Sequence, residues 1–172
     1  MIYFIVLAVV ITLLSGRNPL SLVEKVNFKL PYLLLGSFAA QIAIFAVTVR
    51  TNRTYPYWTE AAILAVLLFL WLNRKVPGIP LIFLGALWNW TALVLHGGLM
   101  PVSDTALAWA GLASLPENEP RHQLMAASAF WWMGDWIPLV RRVISIGDVG
   151  IGAGLIRFML GNSVKRRKNE GP

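Results

Sequence analysis

The twenty residues LPYLLLGSFAAQIAIFAVTV, positions 30–49, contain no charged side chain. As an α-helix this stretch is about 30 Å long, which matches the hydrocarbon thickness of a bilayer. Four further apolar runs lie along the chain, at 2–14, 58–72, 79–95 and 143–160. The pattern predicts an all-α membrane protein with about five transmembrane helices, organised as a single integral-membrane domain over residues 1–172.

The composition supports the same class. Hydrophobic residues make up 57% of the chain and charged residues only 13%, whereas soluble domains are about 25% charged. The chain has no cysteine, which excludes disulfides, thiolate catalysis and thiolate metal sites. Its histidines match no zinc-site spacing. We therefore expect no metal and no cofactor.

The distribution of Lys and Arg predicts an orientation. The net charge is +7, but the basic residues lie beside apolar runs and in a short tail, so we expect no nucleic-acid partner. With five spans, one side carries nine: Arg17, Lys25, Lys29, Arg74, Lys75, Lys165, Arg166, Arg167 and Lys168. The other side carries five: Arg50, Arg53, Arg121, Arg141 and Arg142. The excess predicts a multi-pass cell-membrane protein with its N-terminus outside and its C-terminus cytoplasmic.

Residues 97–142 then form an amphipathic outer segment between the fourth and fifth runs. Ser103 and Asp104 can start a short helix, and the stretch from Arg121 to Phe130 is compatible with another. Trp131 and its neighbouring tryptophans suit the headgroup level. We expect short interfacial helices here rather than a sixth span, because the charges are spread too evenly to cross hydrocarbon.

The blocks GGLMPVS (97–103), GDWIP (134–138) and SIGD (145–148) carry a resemblance. With the stretch 73–107 they resemble a family of small bacterial integral-membrane proteins known as a domain of unknown function. The similarity runs from Gln41 onward. It implies a bacterial cell-membrane location and no particular biochemistry. Members typically carry Asn at the position of His96, which departs from that pattern.

Asp148 opens the last apolar run, and an ionisable group there is a candidate catalytic residue. The alternative is structural, because Ser145-x-x-Asp148 is a capping-box pattern. The stretch ISIGDVGIGAG (144–154) is similar to the final block of bacterial lipoprotein signal peptidases, which are aspartic intramembrane proteases. In that family an Asp begins the last span, and the Asn three residues earlier is Ser145 here. The resemblance implies an aspartic-type hydrolase.

Asp135 is the candidate second carboxylate. If its loop folds back onto Asp148, the two groups would share a proton, as aspartic hydrolysis requires. The block that carries the second Asp in signal peptidases has no clean counterpart, so this pairing rests on the residues alone. The alternatives for Asp135 are a solvated loop carboxylate or an ion partner of Arg141 or Arg142.

Further polar and sulfur-bearing side chains are candidates for binding a ligand. Asn89 and Gln41 lie inside apolar runs, where amides usually hydrogen-bond across helices. The full candidate ligand set is Asn89, His96, Met100, Ser103, His122 and Ser145. Gly150 and Gly154 form a G-x-x-x-G pair that predicts close helix packing, within the chain or in a homo-oligomer.

Three function classes remain open. The first is a membrane protein whose outer segment binds a lipid, an amphiphile or a partner protein. The second is an aspartic-type intramembrane hydrolase that uses Asp135 and Asp148. The third is a transport component, although the helices carry few ionisable groups and proton or ion relays usually need several.

Overall fold

The computed structural model describes residues 2–51, 53–112, 122–125 and 129–165. Its α-helices are α1 (Ile2–Leu14), α2 (Leu22–Lys25), α3 (Pro31–Thr51), α4 (Pro56–Leu72), α5 (Ile79–Leu95), α6 (Asp104–Trp109) and α7 (Ile146–Asn162). Its strands are β1 (Arg17–Asn18), β2 (Met100–Val102), β3 (His122–Leu124), β4 (Ile137–Leu139), β5 (Arg142–Ile144) and β6 (Val164–Lys165).

Proline and capping residues set the ends of the long helices. α4 starts at Pro56, whose ring fixes φ near the helical value and which lacks the N–H that the first turn could not use. α7 starts at Ile146 because Ser145 accepts a hydrogen bond from the amide of Asp148. The expected boundaries at 58 and 143 are therefore wrong by two and three residues.

Successive helices run in alternating directions. Asn73 at the end of α4 accepts a bond from the Lys29 amide and donates one to the Lys29 carbonyl, just before α3. Phe69 and Leu70 of α4 form a buried cluster with Ile79 at the start of α5. Trp90 of α5 donates to the carbonyl of Glu60 in the first half of α4. α3 to α5 are therefore antiparallel neighbours.

Glycines bring α5 and α7 into backbone contact. A Cβ on Gly85 would fall on the carbonyl oxygen of Gly147, and a Cβ on Gly154 would meet Ile82. Gly150 lies against Gly85. The G-x-x-x-G pair of α7 thus packs on α5 of the same chain, and this close contact places the first turn of α7 beside the last half of α5.

One end of the helices is closed by a two-residue ladder. β1 pairs antiparallel with β6, so that Arg17 lies opposite Lys165. The guanidinium of Arg17 also donates a 2.7 Å bond to the carbonyl of Ser163. We call this the basic end, because most of its charged side chains are Lys and Arg.

The opposite end carries the remaining strands. β2 pairs in parallel with β3, and β4 pairs antiparallel with β5 across a turn that holds Arg141 at φ 57°. A single bridge joins Val102 of β2 to Asp135. These short ladders give hydrogen-bond partners to backbone groups of the loops, which helices cannot pair. They also connect the loop after α5 to the residues that precede α7.

The expectation of an all-α protein with five transmembrane helices is wrong. In the described part of the chain, one helix, Pro31–Thr51, is long and apolar enough to cross a membrane. α4, α5 and α7 have 17 residues each and α1 has 13. A 17-residue helix is about 25 Å long, short of the roughly 30 Å hydrocarbon layer. Because the structure also contains short strands, the chain is not an all-α protein as predicted.

The single candidate span points to membrane association and does not support the expected multi-pass topology. The described residues of the expected outer segment are less helical than predicted. They hold the six-residue α6, a 3-10 turn at Trp131–Met133, the strands β2, β3 and β4, and the first residue of β5. His122–Leu124, expected to be helical, is a strand because it hydrogen-bonds along the edge of β2. Residues 113–121 and 126–128 lie outside the described part.

Candidate functional site

A cavity of about 430 Å³ lies at the end of the molecule opposite the basic end. Its walls come from the last turns of α3, the first turns of α4, the last turn of α5, and the strands that follow it. The start of α7 completes the lining. Its volume falls in the range of pockets that hold small molecules.

Asp148 lines this cavity from the first turn of α7. Its backbone amide donates a 3.0 Å bond to Ser145 Oγ, and Asp148 Oδ2 lies 3.5 Å from the Ser145 amide, which makes the capping box that the sequence predicted. Asn89 Nδ2 of α5 donates a 2.9 Å bond to Asp148 Oδ1. Ser145 Oγ in turn donates a 2.7 Å bond to Asn89 Oδ1. The Asp148 carboxylate therefore both caps α7 and lines the cavity.

Asp135 enters the cavity from the other side, held by its backbone. Its amide donates a 2.8 Å bond to the Pro101 carbonyl, and its own carbonyl accepts a 2.9 Å bond from the Ser103 amide. The preceding Gly134 must be glycine, because a Cβ there would fall on the Pro101 carbonyl oxygen. The side chain is thus fixed between β2 and the start of the β4–β5 hairpin.

The Asp135 carboxyl is buried, with 8% of the residue exposed. Within the described residues, its Oδ1 has no hydrogen-bond partner. Burial raises the pKa of Asp135 to about 7, and the negative charge of Asp148 adds to the rise. The alternative that Asp135 is a solvated loop carboxylate is therefore wrong.

His122 rather than an arginine faces Asp135. His122 Nε2 lies 3.7 Å from Asp135 Oδ2, because the parallel pairing of β3 with β2 places His122 beside Met100. Arg142 lines the cavity, but its guanidinium carbon lies 5.8 Å from the ring centroid of Tyr3. Arg141 is exposed in the hairpin turn. Neither arginine forms an ion pair with Asp135 among the described residues.

The structure gathers part of the predicted ligand set at the cavity. Asn89, Met100 and His122 line it together with Asp135 and Asp148. Ser145 is not among the lining residues, but its Oγ donates a hydrogen bond to Asn89, which is. The other two predicted residues have structural contacts elsewhere. His96 places its ring nitrogens 2.7 Å and 2.8 Å from the carbonyls of Ala92 and Ala129, and Ser103 accepts from the Ala106 amide as the N-cap of α6.

One wall of the cavity was not predicted. It is formed where α3 ends and α4 begins, by Thr48, Thr54, Tyr55 and Thr59, with Gln41 deeper on α3. The sequence feature that could have indicated this wall is the group of hydroxyl side chains between the end of the apolar run 30–49 and the start of the apolar run 58–72. Only the antiparallel packing of α3 on α4 makes that grouping face the two carboxylates.

The described residues contain no group of three His, Cys, Asp or Glu side chains that could hold a metal ion. His96 in particular lies outside the cavity lining. The chemistry that the lining offers is that of two carboxylates, an imidazole, a guanidinium, hydroxyls and an apolar wall.

Residues 25–160 match a protein family described as "Family of unknown function (DUF5317)". A relative from Thermotoga maritima, described as an uncharacterized protein, is 28% identical over 173 residues. That alignment covers 93% of this chain and 90% of the relative. No solved structure matches the chain.

Proposed function

Since the chain belongs to the DUF5317 family, whose function is unknown, we propose from its own geometry that it is a membrane-associated protein that binds a small amphiphile in the cavity. The observation that carries the proposal is the mixed lining. The cavity is lined by the charged or titratable side chains of Asp135, Asp148 and His122 and by the apolar side chains of Ile44, Phe45, Ile63 and Leu93. An amphiphile can satisfy both at once.

The surface of the helices supports a lipid environment. Large apolar side chains are exposed on α1, α3, α4 and α5, among them Val6 at 56%, Ile42 at 70% and Leu84 at 59%. Soluble monomers rarely expose contiguous apolar surface on this scale. We place the helices in a bacterial cell membrane, with α3 crossing it and the cavity near its surface.

The proposed orientation of the protein in the membrane rests on the unequal distribution of Lys and Arg between its two ends. The described Lys and Arg near the basic end are Arg17, Lys25, Lys29, Arg74, Lys75 and Lys165. Those near the cavity end are Arg50, Arg53, Arg141 and Arg142. Because cytoplasmic flanks carry the excess of positive charge, we propose that the cavity and the N-terminus face outward.

Filling the cavity tests the binding function. Ile63→Trp places an indole in the lining, whereas Leu64→Trp places it on the exposed face of the same helix. Native mass spectrometry of protein released from membranes should show one bound lipid or amphiphile per wild-type chain. The adduct should persist in Leu64→Trp and vanish in Ile63→Trp. A wild-type chain without an adduct, or an adduct that survives both changes, would overturn the proposal.

A second candidate function is aspartic-type hydrolysis. The observation that favours it is the raised pKa of Asp135, about 7, in a cavity shared with Asp148. Asp148 would accept a proton from water as the water oxygen bonds to a carbonyl carbon of the substrate. Asp135 would give its proton to the carbonyl oxygen. Collapse of the tetrahedral species would then release the leaving group with the proton held by Asp148, and the hydroxyl of the tetrahedral species would return a proton to Asp135.

The hydrolysis candidate is testable without a known substrate. Membrane vesicles that contain the protein are incubated in ¹⁸O-labelled water, and their lipid and peptide extracts are searched for products that have gained one ¹⁸O. Labelled products should appear with the wild type and disappear with both Asp135→Asn and Asp148→Asn. Equal labelling with either variant would exclude the dyad.

A further inference from the structure

The Asp135 carboxyl has an open hydrogen-bonding position that points to the chemistry of the occupant. Oδ1 is buried and has no partner within the described residues, yet the carboxyl lines the cavity. The other oxygen, Oδ2, is the one that faces His122 at 3.7 Å. A buried acceptor without a partner costs free energy, so a ligand that donates to Oδ1 would recover it.

The second carboxylate in the lining adds negative charge on the same side. Asp148 Oδ1 accepts from Asn89, which uses one of its acceptor sites. A carboxylate has about four lone-pair directions, so Asp148 can accept further bonds. Two carboxylates that face one cavity repel each other, and a cation between them removes that repulsion.

Two other groups in the lining can carry positive charge. His122 Nε2 lies 3.7 Å from Asp135 Oδ2, the oxygen opposite Oδ1. Arg142 is exposed and its guanidinium lies over Tyr3 of α1. Among the described lining residues, the remaining titratable group is the phenol of Tyr55.

We propose, on the basis of the binding function above, that the cavity selects an amphiphile with an ammonium headgroup, whose N–H donates to Asp135 and whose charge lies between Asp135 and Asp148. Its hydrocarbon part lies along the apolar lining residues Phe45, Ile63 and Leu93. An ammonium supplies up to three donors and a positive charge, and charge-assisted bonds to carboxylates are about twice as strong as neutral ones.

The proposal is tested with three probes that share one alkyl chain. Dodecylamine, dodecanol and dodecanoate are compared at pH 8, above the Asp135 pKa of about 7, so that both carboxyls are ionised. The measurement is equilibrium binding to the full chain in nanodiscs of zwitterionic lipid, with empty nanodiscs as the blank. Dodecylamine should bind about tenfold more tightly than dodecanol, the difference between a charged and a neutral hydrogen bond. Dodecanoate should bind most weakly, because the carboxylates repel it.

Variants assign the preference to the cavity. Asp135→Asn should bring dodecylamine to the affinity of dodecanol. Asp104→Asn removes an exposed carboxylate that does not line the cavity, so it should leave the preference intact. Circular dichroism and thermal unfolding confirm that both variants are folded.

The binding results distinguish failure of the ammonium preference from failure of amphiphile binding itself. Equal saturable binding of dodecanol and dodecylamine would overturn the ammonium inference and leave amphiphile binding in place. A preference for dodecanoate would do the same and would indicate that Arg142 or His122 directs recognition. No saturable binding of any probe above the blank would overturn both.

Discussion

The side-chain amide of Asn89 donates a 2.9 Å hydrogen bond to Asp148, across the interface between α5 and α7. The same amide accepts from Ser145, so a single side chain links the helix cap to the cavity carboxylate. Gly85 and Gly147 allow the two helices to approach closely enough for this contact. The carboxylate is therefore positioned by packing as well as by its own helix.

Asn89→Ala should destabilise the protein by about 1–3 kcal/mol, because it leaves Ser145 Oγ without its acceptor and Asp148 without its donor. Gln41→Ala is the matched control: Gln41 also lines the cavity from a helix, but the described residues give its amide no hydrogen bond. Thermal unfolding in detergent measures both. Equal losses of stability would show that the Asn89 network contributes nothing specific.

Asp148→Asn should reduce stability only slightly, by about 0.3–1 kcal/mol, because the amide oxygen can still accept from Asn89 and only the charge–dipole contribution is lost. Binding of an ammonium probe should fall much more, since the negative charge is removed from the cavity. Unfolding and binding are measured on the same preparation. A large loss of stability with normal binding would make Asp148 a purely structural residue.

Asp135 should make stability fall as pH rises from about 4 to about 7. Its folded pKa of about 7 lies above the ordinary value of 3.8, so the folded state keeps a proton that the unfolded chain has released. The contribution is therefore complete below pH 3.8 and lost by about pH 7. Thermal unfolding from pH 4 to pH 8 measures this dependence.

Asp135→Asn should flatten that pH dependence, because the amide does not titrate. His122 Nε2 lies 3.7 Å from Asp135 Oδ2, so His122→Gln is the control for the histidine. A pH profile unchanged in Asp135→Asn but flattened in His122→Gln would assign the effect to the histidine and contradict the prediction.

Gly85→Ala should destabilise the protein by about 1–3 kcal/mol or more, because the new Cβ falls on the backbone of Gly147 and Ile151. Gly36→Ala on α3 is the control. A Cβ on Gly36 would meet no atom of another element within 4 Å, and alanine favours helix by about 1 kcal/mol. Unfolding in detergent should therefore rank Gly36→Ala at or above the wild type. A tolerated Gly85→Ala would mean that α5 and α7 are less closely packed.

Cysteine labelling tests the proposed orientation, helped by a chain that has no cysteine of its own. Arg53→Cys lies just after α3 at the cavity end, and Lys29→Cys lies just before α3 at the basic end. In intact cells an impermeant thiol reagent should label Arg53→Cys only, and Lys29→Cys should react after the membrane is opened. Labelling of Lys29→Cys alone in intact cells would reverse the orientation.

The sequence by itself determined where the long helices lie, because their apolar runs, prolines and the Ser145–Asp148 capping pattern are local properties of the chain. It also indicated the family, through blocks that are contiguous in the sequence. It overestimated the number of membrane spans, since apolar composition marks a helix as buried or lipid-facing without showing that it is long enough to cross a bilayer.

Only the tertiary structure decided how the site is assembled. The segment that carries Asp135 pairs with β2 through backbone hydrogen bonds, and β3 brings His122 to the same place by parallel pairing. Strand pairing depends on backbone groups that every residue shares, so side-chain patterns do not reveal it. The burial that raises the pKa of Asp135 arises from this folding-back of the loop, and from the antiparallel packing of α3 and α4 that closes the other wall.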